Sequence, residues 1–257
     1  MQIKEKFIAL KTIVSKEIKR MLRMWPQTLI PPMITTSLYF LIFGKILFDD
    51  REMVISGVSV SYVHYLVPGL VVMAVINNSY GNTSFSLFGA KFQKNIEELL
   101  IAPIPTWMII LGFTLGGVFR GLINGVMVLA TAYFFEPIDI HASLIALFIA
   151  FLISMFFSLV GIVNAIFARN FDDVSWVPAF ILTPMVYLGG VFFSVNALPD
   201  FWKKIVMFNP IYHFVDIFRY NLIGIGEFHF LSFGSLVIGN IILFTITNFI
   251  FVKKLQK

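Results

Sequence analysis

The sequence predicts an all-α integral membrane protein with six transmembrane helices. Its 257 residues are 58% hydrophobic and only 13% charged, and the mean hydropathy is +0.88. A soluble fold of this length leaves much of its chain in water, so this composition fits a bilayer instead. There is no cysteine, which excludes disulfides, thiolate metal sites and a cysteine nucleophile.

Six apolar runs are long enough to cross a hydrocarbon core of ~30 Å. Pro26, Pro31 and Pro32 predict an irregular entry to the first run, and Asp49, Asp50 and Arg51 are expected at the membrane surface beyond it. Residues 1–257 are interpreted as one membrane domain. The predicted spans cover about residues 26–46, 62–87, 107–135, 142–168, 174–194 and 230–252.

Residues 4–25 have the pattern of an amphipathic helix lying in the membrane interface. Glu17 is predicted near the edge of its apolar arc. Such a helix is either a simple cytoplasmic anchor or a brace against a partner protein. The apolar face comprises Phe7, Leu10, Val14, Ile18, Met21, Leu22 and Trp25, and the opposite face carries Lys16, Lys19, Arg20 and Arg23.

The basic residues predict the orientation, because Lys and Arg concentrate on the cytoplasmic side. One side has thirteen of them: the seven before residue 24, then Lys91, Lys94, Arg169, Lys253, Lys254 and Lys257. The other side has five: Lys45, Arg51, Lys203, Lys204 and Arg219. Both termini are therefore predicted to be cytoplasmic. The net charge of +5 follows this pattern, and no nucleic-acid partner is expected.

The stretch 88–100, between the second and third spans, is predicted to be a short cytoplasmic helix ended by Pro103 and Pro105. Taken alone, this pattern also fits a helical loop on the membrane surface. The apolar arc contains Phe88, Phe92, Ile96, Leu99 and Leu100, and the polar side contains Lys91, Lys94, Asn95, Glu97 and Glu98. In the loop after the fourth span, Asp172 or Asp173 is expected to cap the next helix.

Residues 195–229 are too polar to span a membrane and too apolar to form a free loop. They mix prolines and charged residues with aromatic ones. We interpret them as two short interfacial or re-entrant helices on the outer side, where protein or water satisfies their backbone.

Arg120 is the one charge deep within a predicted span, and such a residue must face protein or water. Gly117, Gly121 and Gly125 surround it with a small-residue face that suits close helix packing. It either locks the bundle or lies on a substrate path. The polar inner half of the second span, including Asn77 and Asn78, is likewise expected to face other helices or a wet cavity.

Sequence motifs give no support for catalysis within this chain. His64, His141, His213 and His229 show no metal-ligand spacing, so no metal site is expected. No G-x-x-x-x-G-K-[ST] motif is present, so the chain is not expected to bind ATP phosphates itself.

Two segments resemble the permeases of type-2 ABC exporters. The run Lys94-Asn-Ile-Glu-Glu-Leu-Leu-Ile-Ala-Pro-Ile104 is similar to their first cytoplasmic loop, with its Glu-x-Leu-Leu-x-x-Pro pattern. A second match starts with Gly189-Gly-Val-Phe-Phe-Ser194 and Leu198-Pro199. It continues through Asn209, Pro210 and Tyr212 to Asp216 and Arg219. Lys94-Asn95 departs from the Gly-Thr pair of many members.

The resemblance implies a complex of two permease subunits with two ATPase subunits, which bind ATP and Mg²⁺. Helix 88–100 then couples to the ATPase, through residues such as Lys91, Phe92, Lys94, Glu97, Glu98 and Leu99. The N-terminal helix also lies near the ATPase, and the short outer helices shape the exit. Two copies are expected to meet along the first and fifth spans of an inner-membrane homodimer. Family substrates include drugs, lipid-linked glycans and other amphipathic molecules, moved outward.

Two other classes compete with an exporter permease. An ion-coupled secondary transporter needs titratable carboxylates at mid-membrane, and none of the 14 Asp and Glu residues is predicted there. A lipid-modifying enzyme needs a convergent set of polar groups at one surface. Asp200, His213 and Asp216 form the only loose cluster, and they fit helix capping better. The positions of Arg120, Lys203, Lys204 and Arg219 would suit an anionic amphiphile.

Overall fold

The computed structural model describes residues 3–46, 52–55, 58–195, 198–226 and 228–255. Asp49, Asp50, Arg51 and Lys257, which entered the predicted topology, lie outside these residues. The described part is almost entirely helical, with a small antiparallel hairpin of β1 (Glu52–Ile55) and β2 (Val58–Ser61) that the sequence did not predict.

Eleven α-helices and two π-helical segments make up the helical part of the described chain. In order they are α1 (Ile3–Arg23), α2 (Trp25–Tyr39), a π-helix (Phe40–Ile46), α3 (Tyr62–Phe92), α4 (Asn95–Ile101), α5 (Thr106–Phe135), α6 (Ser143–Phe167), α7 (Phe171–Val177), a second π-helix (Pro178–Leu182), α8 (Thr183–Tyr187), α9 (Asp200–Phe208), α10 (Pro210–Ile223) and α11 (Phe230–Leu255).

Three of these helices are each long and apolar enough to cross a membrane: α5, α6 and α11. They correspond closely to the third, fourth and sixth predicted spans. The long helix α3 has 31 residues but carries the polar run around Asn77 and Asn78. Helix α3 is central in the fold, because it packs against α5, α6 and α10.

The first predicted span is helical throughout, and its last part is a π-helix. Pro31 and Pro32 lie inside α2, whereas the wider π-helical turns occupy Phe40–Ile46 at the other end. There Gly44 faces Val63 of α3, with a Cβ position only 2.8 Å from Val63 Cγ2. The irregular or kinked entry at the prolines stays a prediction, and a close approach to α3 accompanies the π-helical turns.

The fifth predicted span ends seven residues early. Its helical part, α7 to α8, stops at Tyr187. Gly190 follows with φ of +70°, a conformation that glycine adopts without strain. After Tyr187 the chain is no longer helical, and side chains of other helices donate hydrogen bonds to its carbonyl groups. The sequence stays apolar over these residues, so it gave no sign that the helix ends.

The N-terminal helix packs against α5 and α3 along a face that differs from the predicted apolar arc. Ile13, Glu17 and Met21 are its buried residues, while Phe7, Leu22 and Trp25 are exposed. A Cβ on Gly112 would lie 2.5 Å from Ile13 Cγ2, and a Cβ on Gly116 would lie 2.5 Å from Glu17 Cβ. Both contacts advance by four residues, so α1 and α5 run in the same direction here.

Candidate coupling surface and substrate path

The predicted helix 88–100 is two helices. Residues 88–92 form the last turn of α3, and α4 covers Asn95–Ile101. Between them Lys94 has a left-handed backbone, with φ of 60°, which breaks the helical path. After α4, Ala102 is extended and the prolines follow, as the sequence predicted.

The inner face of α4 anchors it to one end of the helical bundle. Ile96 is buried among Leu87, Phe88, Ile109 and Val174, and Leu99 and Leu100 pack against the same cluster. Burial of such side chains contributes about 1.5–3 kcal/mol each. The cluster joins residues of α3, α5 and α7 to α4.

The outer face of α4 combines acidic and apolar side chains. Glu97, Glu98 and Lys94 are exposed, Ile101 is 85% exposed and Phe92 is 63% exposed. Phe92 stacks near Phe171 of α7, with ring centroids 5.3 Å apart. An exposed apolar patch rimmed by charges is typical of a protein-binding surface.

Lys91 points inward and not toward this outer face. Its Nζ donates to the carbonyl oxygens of Ala165 (3.3 Å), Ile166 (3.0 Å) and Ala168 (2.6 Å) at the end of α6. A lysine here donates hydrogen bonds to carbonyl groups that have no partner within the helix at its C-terminal end, and its positive charge interacts favourably with the helix dipole. Burial lowers the pKa of the Lys91 amine, and nearby Asp173 raises it while Lys254 lowers it.

The start of α7 is capped by a residue that the sequence analysis did not select. Asn170 Oδ1 accepts a hydrogen bond from Asp173 N at 2.7 Å. Asp173 in turn accepts from Arg169 N at 2.8 Å. Asp173 therefore takes part in the cap, but Asn170 is the N-cap residue and Asp172 is not.

Asn77 and Asn78 lie on a cavity of about 250 Å³ between α2 and α3. Asn77 is exposed, and Asn78 Nδ2 donates to Ala74 O at 3.0 Å. The lining residues are Pro31, Pro32, Thr35, Thr36, Tyr39, Leu70, Met73, Ala74, Asn77 and Asn78. They do not include Arg120, so the predicted substrate-path residues fall into two places.

Arg120 instead lies on the side of α5 that faces α1. It is one helical turn beyond Gly116, which contacts Glu17. Glu17, only 3% exposed, accepts from Ser86 Oγ at 2.8 Å and from Arg20 Nη2 at 2.9 Å. Arg20 Nη2 also donates to Asn82 Oδ1 at 2.9 Å. The amphipathic pattern of α1 gave no signal for this buried polar cluster beyond Glu17's place near the edge of the arc.

The residues of the second family-like segment, from Asn209 to Arg219, are brought together around the chain that follows α8. Asn209 caps α10 by accepting from Ile211 N at 3.0 Å, and its Nδ2 donates to Met185 O at 2.6 Å. Pro210 is the first residue of α10, where its missing N–H costs nothing. Tyr212 lies against Gly190, so the motif has a structural role that the sequence only implied.

Tyr65 of α3 and Arg219 hold the same segment. Arg219, 4% exposed, donates to Gly190 O at 2.7 Å and lies 4.0 Å from the Tyr65 ring centroid. Tyr65 donates to Phe193 O at 2.8 Å. Asp216 lies 3.7 Å from His229 Nε2. Tyr65 was missed, because a tyrosine in an apolar span carries no signal of its distant partner.

In the described residues, no group of three or more His, Asp and Glu side chains is placed to hold a metal ion. Asp200 is the first residue of α9, and His213 Nε2 lies 2.8 Å from Met207 O. Asp200 and His213 therefore have local positions within the short helices α9 and α10.

Comparison with known proteins gives matches along most of the chain. A profile of the ABC-2 type transporter family matches residues 8–223. The chain is 48% identical to the Inner membrane transport permease YadH of Escherichia coli strain K12, over 90% of each protein. It is 26% identical to the Probable multidrug ABC transporter permease YbhR of the same strain, over 69% of this chain and 49% of that protein. It is 24% identical to Nodulation protein J of Rhizobium leguminosarum bv. viciae, over 64% of each. The chain therefore belongs to the ABC-2 type transporter family.

Proposed function

We propose that this chain is the permease subunit of an ATP-driven exporter in the inner membrane, driven by a separate ATPase subunit through α4. The observation that carries the proposal is that one face of α4 is buried in the bundle while the opposite face is exposed. Its inner face is anchored by Ile96, while Glu97, Glu98 and Ile101 are exposed. Family membership supports an ABC ATPase as the partner.

The contacts of α4 suggest how force from the ATPase reaches the bundle. A push on the outer face moves Ile96 against residues of α3, α5 and α7. Lys91, one turn before the break, transfers motion to the end of α6 through three carbonyls. ATP and Mg²⁺ are bound by the ATPase in this proposal, and this chain supplies only the mechanical connection.

We place a second copy of the chain against the first and fifth predicted spans. These segments adjoin within one protomer, since the hydroxyls of Tyr39 and Tyr187 are 3.0 Å apart. Both expose apolar side chains that either lipid or a second protomer would cover. They include Ile30, Ile34, Leu38, Leu41, Ile42, Trp176, Phe180 and Ile181.

An amphipathic substrate suits the cavity between α2 and α3. Its wall is mostly apolar, and Asn77 and Asn78 supply amide groups at one end. Such a wall accepts lipid, lipid-linked glycan or drug-like molecules, in which an apolar body carries a polar group. The name of the relative YbhR, a probable multidrug permease, is consistent with this class.

The proposal is tested with Ile101→Asp, since a charge on an exposed apolar anchor weakens a protein interface. Phe208→Asp is the matched control, because Phe208 is 90% exposed on α9, which is predicted to be on the outer side. We expect Ile101→Asp to weaken co-purification of the ATPase by about tenfold, with no effect of Phe208→Asp. Equal behaviour of the two variants would contradict the proposed contact.

A further inference from the structure

Three buried N–H donors near Glu17 have no hydrogen-bond partner among the residues that the structure describes. They are Arg20 Nε, Asn82 Nδ2 and Arg120 Nε. Asn82 is only 1% exposed, so bulk water does not solvate its amide. A buried donor without a partner is unfavourable, and an ordered water or a bound ion commonly satisfies such a donor in a folded protein.

These donors belong to one small region between α1, α3 and α5. Arg20 contacts Asn82 directly. Asn82 Nδ2 lies 3.6 Å from the position of a Cβ on Gly116, and Arg120 follows Gly116 by one helical turn on the same face. Three donors from three different helices thus border the same place.

The charges of this region are unbalanced. Arg20 and Arg120 are close enough to repel each other, and Glu17 is the carboxylate paired with Arg20. The single hydroxyl proton of Ser86 is shared between the two Glu17 oxygens, each 2.8 Å from Oγ. One carboxylate thus offsets one guanidinium, and a positive charge is left for an anion.

A basic groove of about 650 Å³ lies along α1 and shares Arg20 with this region. Arg20 borders both the groove and the buried donors, because its side chain is 37% exposed and also pairs with Glu17. The groove is lined by Lys11, Thr12, Ser15, Lys16, Lys19, Arg20 and Arg23. Its five cations raise the local concentration of anions near Arg20 by long-range electrostatics.

We propose that Arg20, Asn82 and Arg120 form a binding site for an oxyanion of the phosphate class. Guanidinium groups bind phosphate oxygens by charge-assisted hydrogen bonds, and an amide N–H adds a neutral donor. Two sources share this chemistry: the headgroup of an anionic phospholipid beside α1, and free phosphate from the cytoplasm. This site is separate from α4, so it does not depend on the proposed ATPase contact.

The test is binding to the purified full-length chain in non-ionic detergent, measured by native mass spectrometry. One arm adds phosphatidylglycerol with phosphatidylcholine as the neutral comparison, and the other adds inorganic phosphate. We expect Arg120→Gln to weaken binding about tenfold or more. Lys19→Gln removes an equal charge from the exposed groove and serves as the matched control, with a smaller effect expected. Binding in the first arm alone identifies a lipid headgroup, and binding in the second identifies free phosphate.

Arg120→Lys is a milder second variant, because it keeps the positive charge and removes only the Nε–H and the planar guanidinium. It separates a loss of binding from a loss of folding. Circular dichroism and gel filtration check that each variant folds. We expect Arg120→Lys to bind more weakly than the unsubstituted protein. The site is refuted if the unsubstituted protein binds neither probe. It is also refuted if binding depends on Lys19 and is indifferent to both Arg120 variants.

Discussion

Lys91 Nζ lies 2.6 Å from the carbonyl oxygen of Ala168. This hydrogen bond joins the last turn of α3 to the end of α6, next to the surface where α4 meets its proposed partner. It assigns Lys91 an internal role. Lys94, three residues later, is exposed beside the break. Two lysines that share one polar stretch in the sequence therefore have different environments.

Lys91→Met is predicted to uncouple the permease without removing the ATPase from it. The substitution leaves three carbonyls of α6 without their charged donor, and we expect a stability loss of about 1–2 kcal/mol, since the amine is only partly buried. ATP hydrolysis by the co-purified ATPase should lose its stimulation by the permease. Lys94→Met is the control and should leave stability unchanged. Loss of ATPase association in Lys91→Met would contradict the internal role.

Gly116→Ala is predicted to displace α1 from α5. The new Cβ would lie 2.5 Å from Glu17 Cβ, which is closer than packed carbon atoms approach. We expect a loss of about 1–3 kcal/mol in unfolding free energy, measured by chemical denaturation in detergent. Gly234→Ala is the matched control, since nothing lies within 4 Å of its Cβ position. Alanine favours a helix there by up to about 1 kcal/mol. A neutral Gly116→Ala would argue against the close contact.

Arg219→Gln is predicted to release the segment around Gly190. The guanidinium donates to Gly190 O and lies over the Tyr65 ring, so both contacts are lost together. We expect a loss of about 2–4 kcal/mol in unfolding free energy. Proteolysis near residues 188–195 should become faster. Lys204→Gln, at an exposed position of α9, should change neither measurement. Unaltered proteolysis in Arg219→Gln would overturn the assigned contact.

The sequence predicted the long helices well, because their apolar length is a strong signal. The bounds of α5, α6 and α11 follow the predicted runs within a few residues. The break at Lys94 could not be predicted in this way, since a single left-handed residue does not interrupt the apolar period on either side. The early end at Tyr187 was hidden for a similar reason: residues 188–194 stay apolar although they are not helical.

Local sequence patterns also predicted some features of the candidate sites and missed others. The exposed acidic residues of α4 follow from its local amphipathic pattern, and the structure shows them at the surface. The burial of Glu17 depends on Ser86, which is 69 residues away. The inward path of Lys91 depends on the end of α6. No periodicity within one helix carries information about such distant partners.

The most direct test of the coupling proposal is charge reversal on α4. Glu97→Lys with Glu98→Lys is compared with Asp139→Lys, an exposed acid in the loop between α5 and α6. The measured quantities are the amount of ATPase that co-purifies and its rate of ATP hydrolysis. We predict that the reversal on α4 lowers both by about tenfold, while Asp139→Lys leaves them unchanged. An α4 variant that keeps full association and full hydrolysis would contradict the proposal that this helix binds the ATPase.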